Sequence, residues 1–189
     1  MGRIADNVRL AYPIVLSGLG LSIVQFFDTL MVGQVNKESL AAVAFASAII
    51  IVFLVFGQGM GMAQTPLVGQ AFARKETKRV AIIFQNAILQ NTLVGVFIVL
   101  ALLILLPFLP YLGQDAEVIK FAKPYFIATA LSLLPAQIFL AFRHFMEGVG
   151  NTKITMIIII SANILNIILN YIFIFGKLGC PAMGAFGAG

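Results

Sequence analysis

The sequence predicts an all-α fold, a polytopic membrane helix bundle of five transmembrane helices plus the start of a sixth. Composition and pattern carry this prediction. Of 189 residues, 61% are apolar and only 10% are charged, and the mean hydropathy of +1.04 lies well outside the range of water-soluble domains. The apolar residues fall into five runs, each long enough at about 1.5 Å per residue to cross ~30 Å of hydrocarbon. Charged residues gather in the breaks between them.

The first run covers residues 10–32 and holds Asp28 in its interior. Its length and the lack of an Ala-x-Ala pattern make it a retained spanning helix rather than a cleaved signal peptide. Pro13 sits near its start, where a missing backbone N–H favours a bend. The second run, 40–62, carries Gly57-x-x-x-Gly61, whose small face favours close helix packing. The third, 82–106, opens with Gln85, Asn86, Gln90 and Asn91, a polar inner half that suits a cavity wall and a helix contact equally; Pro107 terminates it. The fourth, 121–142, contains Pro135 and Gln137, and just past it His144 stands beside Arg143 and Glu147 as an interfacial group. The fifth, 154–175, carries Asn163, Asn166 and Asn170 at spacings of three and four, one polar stripe on one face. Residues 176–189 are rich in Gly and Ala and stop without a polar tail. They read as the start of a sixth helix, so residues 1–189 are expected to be one partial transmembrane lobe of a longer chain.

Topology follows from the basic residues. With the N-terminus inside, Arg3, Arg9, Arg74, Lys75, Lys78, Arg79, Arg143 and Lys153 face the cytoplasm, against Lys37, Lys120, Lys123 and Lys177 outside. Eight against four favours a cytoplasmic N-terminus. Because the net charge of +5 is distributed by this rule, it implies no nucleic-acid surface. The sole cysteine, Cys180, has no second thiol and no metal-ligand spacing around it. There is no phosphate-binding loop and no nucleophile motif, which argues against an enzyme and against ATP as the energy source.

Asp28 is the residue that calls for a function. A carboxylate in a membrane helix costs about 2.5–3.5 kcal/mol on insertion scales, and such residues mark ion and proton pathways. No Lys or Arg lies at its depth to form a structural pair. Gln25 precedes it by three positions on the same helix face. Asp28 and Asn170 lie at matching depths, roughly 6 Å and 7–8 Å below the outer boundary. With Asn166 they form a set of oxygen donors suited to a proton or to Na⁺. Asn163 extends the stripe. Asparagines in membrane helices also serve as interhelical hydrogen-bond glue, a reading that stays open for the stripe.

Six segments occur in an order that is itself specific: Leu10-Ala11-Tyr12-Pro13-Ile14, FFDTLMVG from Phe26 to Gly33, Leu40-Ala41-Ala42-Val43, Pro66-Leu67-Val68-Gly69-Gln70, MEGVGNTK from Met146 to Lys153, and NIILNYIFIFG from Asn166 to Gly176. Together they resemble the N-terminal half of a multidrug and toxic compound extrusion (MATE) transporter. The resemblance implies a twelve-helix antiporter of two six-helix lobes, monomeric at full length, in the cell membrane of a bacterium. It implies export of amphipathic cationic drugs in exchange for H⁺ or Na⁺, with no cofactor. Asp28 matches the family's acidic residue in helix 1, Asn166 and Asn170 its polar pair in helix 5, and Pro13 a proline linked to bending. Position 170 is Asn where one bacterial branch has Asp, which aligns this chain with the NorM-like branch. The C-terminal lobe is absent from the sequence. A lipid or polysaccharide flippase of the same superfamily is the first alternative, disfavoured because the interior charge is acidic and the basic residues sit at the helix ends. A non-transporting truncated membrane protein is the second.

Overall fold

A computed structural model describes residues 2–179, 181 and 183–188, with the side-chain environments of 2–11, 14, 21 and 185 left aside. Cys180 lies outside the described residues, as do the side chains of Arg3 and Arg9. Six α-helices follow one another: α1 Gly2–Gly33, α2 Lys37–Gly61, α3 Gln64–Ala73, α4 Thr77–Leu105, α5 Ala116–Gly148 and α6 Thr152–Phe175. Two short 3-10 segments, Leu106–Leu112 and Gly184–Ala188, complete the order. Among the described residues there is no strand, and five helical stretches are long and apolar enough to cross a membrane.

The helices run further than the apolar runs that announced them. α1 begins eight residues earlier than expected and α5 extends past both ends of 121–142. The reason is physical: hydropathy marks the part of a helix that sits in hydrocarbon, whereas hydrogen bonding continues into the polar margins. A larger difference concerns residues 64–73, which the apolar runs leave unassigned. They form α3, which continues the line of α2 after a two-residue interruption at Met62 and Ala63, so that 37–73 behaves as one interrupted span. After Phe175 the chain makes a left-handed turn at Gly176 (φ 66°) and, rather than an α-helix, the described residues show only the 3-10 segment Gly184–Ala188.

Local chemistry sets the boundaries. Asn36 caps α2, its Oδ1 accepting from the Ser39 backbone N–H at 2.6 Å, which satisfies one of the orphan donors of the first turn. Pro107 stops the α4 ladder and starts the 3-10 segment. Pro13, Pro124 and Pro135 are carried inside helices.

Packing divides the bundle into two parts. α2, α4 and α5, with the 3-10 segment after α4, share a core of Ala46, Ile50, Ile98, Leu102, Leu109 and Phe126 with their neighbours. Small residues let the helices approach: Gly57 lies directly against Gln137 and Ile98, and Gly95 against Leu134. α1 and α6 form the second part, joined at one end by Met31, Val32 and Ile174. They are parallel, since Gly20 stands against Asn163 and Asp28, further along α1, meets Asn170, further along α6. Large apolar side chains such as Tyr12, Ile23, Phe26, Ile104, Ile157 and Leu165 point outward, as they do where lipid or another helix is the neighbour.

Candidate functional site

The α1–α6 seam brings together what the matching depths predicted. Asn170 is 5% exposed, and its Nδ2 donates to Asp28 Oδ1 at 2.7 Å and to Asn166 Oδ1 at 3.0 Å. One amide nitrogen thus bridges a carboxylate oxygen and a second amide oxygen. The two hydrogens of a carboxamide suffice for this, and the bond to the carboxylate has charge-assisted length. Asp28 is half-buried, and among the described residues it has no basic partner. The i, i+4 spacing of Asn166 and Asn170 puts both amides on one face of α6, while parallel packing sets them level with the carboxylate.

The other expected members are placed differently. Asn163 is on the same face but lies one to two turns from the carboxylate; its Nδ2 is buried over Gly20 without a hydrogen-bond partner among the described residues. Gln25 does not join the cluster: its side chain is exposed, and only its backbone carbonyl is engaged, by Thr29 Oγ1 at 2.8 Å. Three residues of separation fix a common helix face, but not the neighbour that face meets. Pro13 is buried, and its carbonyl accepts from Ser17 Oγ at 2.7 Å. Such back-bonding from Ser or Thr weakens the local ladder and bends helices.

Sequence reasoning missed a second polar cluster, at the end of the bundle that carries the Arg74–Arg79 loop. Gln64 Nε2 donates to the Ala141 carbonyl at 2.7 Å, and Thr65 Oγ1 lies 3.2 Å from His144 Nδ1. Arg143 Nε donates to Glu147 Oε1 at 2.8 Å. His144 is half-buried between α3 and α5 rather than freely interfacial, with its Nε2 enclosed beside Gly61. The signal was present as Gln64-Thr65, a polar pair straight after a glycine-rich stretch. Residues 64–73 fall between the second and third apolar runs, and Pro66 is the third residue of α3, a place in the first turn that proline tolerates well.

A half-buried carboxylate bridged by membrane-helix amides, in a bundle of five apolar spans, defines a multi-pass membrane protein with a polar site built between helices. The family model described as MatE matches residues 13–172. The chain belongs to that family. It is 35% identical over 178 residues, 94% of its own length, to a probable multidrug resistance protein NorM of Oceanobacillus iheyensis. Over 188 residues, 99% of its length, it is 31% identical to the corresponding protein of Bacillus subtilis. It spans 40% and 42% of the length of these two relatives. Among solved structures, a MOP superfamily transporter from Pyrococcus furiosus shares the fold, with a TM-score of 0.88, 20% identity, and coverage of 97% of this chain and 40% of that one.

Proposed function

We propose that the chain is the N-terminal lobe of a cation-coupled multidrug efflux antiporter of the NorM-like kind, exporting amphipathic cationic drugs in exchange for H⁺ or Na⁺. The observation that carries this reading is the Asn170 Nδ2 bridge between Asp28 Oδ1 and Asn166 Oδ1. Both oxygens aim at a point of positive partial charge, the place a coupling cation occupies. A proton takes the carboxylate directly. For Na⁺, rotation of the Asn170 amide replaces the nitrogen with its own Oδ1, giving three side chains that offer oxygen to a hard cation. In either case the ion changes the link between α1 and α6 as it binds, a proton by removing the charge that strengthens the Asn170 bond and Na⁺ by replacing that bond with shared coordination, which couples occupancy of the site to the contact between two helices.

The relatives named as multidrug resistance proteins support drugs as cargo, and a second lobe, from the length these relatives have beyond this chain, completes the path. The full-length protein then acts as a monomer in the cell membrane, with its N-terminus in the cytoplasm, an orientation supported by the basic loop Arg74–Arg79. The test is Asp28→Asn in the full-length protein, measured as ethidium efflux from energised vesicles alongside its yield in the membrane. Efflux is expected to vanish with insertion intact; gradient-driven efflux at the normal rate would remove Asp28 from the mechanism.

A further inference from the structure

At the opposite end of the bundle from Asp28, the turn from α3 to α4 carries cations with no acid to meet. Glu76 is the acidic residue of the turn, and Arg79 Nη1 holds its Oε2 at 3.1 Å. Arg74, Lys75 and Lys78 are exposed, and among the described residues none of them forms an ion pair. The turn is tightly closed. Arg74 N–H donates to the Gln70 carbonyl at 3.2 Å, and the N–H groups of Lys75 and Glu76 donate to the carbonyls of Phe72 and Ala71 at 3.0 Å each. Lys75 itself adopts φ 59°, in the left-handed region that favours glycine. The backbone thus carries a lysine where glycine would fit freely, and three positive side chains leave one short, fixed segment.

Below these cations the surface is apolar. Phe72 is exposed two residues before Arg74. Lys78 and Ile82 are four residues apart and share a face of α4, which Leu89, Leu93, Leu100 and Ile104 continue at steps of seven and four, every one of them exposed. From Ile82 to Ile104 that face runs about 33 Å, the thickness of the hydrocarbon layer. Lys78 lies one turn beyond it, about 6 Å, at the level of lipid phosphates. Gln85, exposed on the same face, adds an amide near that end. A count of basic residues explains which side of the membrane the turn occupies, but not why the free cations stand directly over an outward apolar face. That juxtaposition fits an amphiphile with an anionic head.

The geometry points to a binding site for an anionic phospholipid of the adjacent leaflet, its phosphate held by Arg74, Lys75 and Lys78 and an acyl chain lying on Ile82 and Leu89. The planar fork of arginine matches a phosphate, and the lysines add point charges. A zwitterionic lipid would bring its own ammonium against the cluster, whereas phosphatidylglycerol brings none. Free phosphate would leave the apolar face unused. The site shares no residue with the α1–α6 seam, so it stands or falls independently of the coupling chemistry proposed there.

The test is native mass spectrometry of the full-length protein released from detergent micelles. It is titrated with phosphatidylglycerol, with phosphatidylcholine of the same chains, and with phosphatidylglycerol in competition with inorganic phosphate. A saturable complex with a single phosphatidylglycerol is expected, about tenfold or more tighter than with phosphatidylcholine and undisturbed by millimolar phosphate. Lys75→Gly relieves the left-handed residue, so it is expected to fold at least as stably and to weaken the lipid about fivefold, the worth of one cation near an anionic lipid. The triple variant Arg74→Gln, Lys75→Gly, Lys78→Gln is expected to weaken it about hundredfold. Lys37→Gln with Lys120→Gln removes two exposed charges at the other end of the bundle and is expected to leave the affinity unchanged. A loss there equal to that in the triple variant would show attraction to net charge alone. That result, equal binding of phosphatidylcholine, displacement by inorganic phosphate, or an unaltered affinity in the triple variant would each overturn the assignment. Absence of any saturable complex would do so too, and would give this face of α4 to another part of the full-length protein.

Discussion

Asn170 holds two oxygens with a single nitrogen, so it bears more of the site than its neutral side chain suggests. Asn170→Leu leaves Asp28 without its side-chain donor. Loss of a hydrogen bond to a charged group is worth about tenfold or more in an equilibrium, and the variant is expected to lose at least that factor in the apparent coupling-ion affinity of ethidium efflux. Asn163→Leu removes an amide whose Nδ2 has no hydrogen-bond partner among the described residues and is expected to change the same affinity by less than threefold. Equal losses in the two variants, measured in the same vesicle assay, would mean that the amide stripe acts as a whole rather than through its outer pair. The Asp28–Asn170 contact was legible in the sequence because helical rise converts position into depth, and two polar groups at one depth can meet. The exposure of Gln25 was not legible because the same arithmetic is silent about rotation: knowing that a residue shares a helix face does not tell which way the helix turns that face.

At the scale of the element, glycines govern how closely the helices approach. A Cβ on Gly148 would lie 2.7 Å from Val68 Cβ and 2.9 Å from the Thr65 carbonyl oxygen. That oxygen belongs to backbone and cannot swing aside. Gly148→Ala is therefore expected to push α3 from α5 and to destabilise the protein by about 1–3 kcal/mol, the usual cost of overpacking. Gly59→Ala, where nothing lies within 4 Å of the added carbon, serves as its control and is expected to lose nothing; thermal denaturation in detergent compares the two. An unchanged midpoint for Gly148→Ala would show that α3 is free to shift. The five spans themselves were visible as apolar runs. The helix α3 was not, because Gly61, Pro66 and Gly69 look like punctuation in a sequence, whereas here Gly61 clears room for His144 and Gly69 for the Gly148 carbonyl. Glycine required by a neighbour and glycine required by a turn are the same letter.

For the molecule as a whole, orientation is the property most open to direct measurement. Lys78 follows α3 and Lys37 opens α2, at opposite ends of the interrupted span 37–73. Cysteine placed singly by Lys78→Cys and Lys37→Cys, in a Cys180→Ser background, is expected to react with an impermeant maleimide from opposite sides of the membrane. Lys78→Cys should be labelled only in inside-out vesicles. The reverse pattern would invert the topology. The division of the bundle matters at this scale as well, because the Asp28–Asn170 contact lies wholly in the α1–α6 pair, which touches the rest of the bundle through contacts such as Val43 of α2 against Met31, Val32 and Ile174.

The separation of Asp28 and Asn170 along the chain, 142 residues, also has a bearing on biogenesis. Chains are synthesised from the N-terminus at about 5–20 residues per second, so α1 enters the bilayer many seconds before its partner exists. Throughout that interval the carboxylate lacks the Asn170 amide, and the insertion cost of about 2.5–3.5 kcal/mol for a charged residue is not offset by that bond. The hydrogen bond that later closes the seam therefore forms only in a chain that has delivered α6, in the right orientation and beside α1.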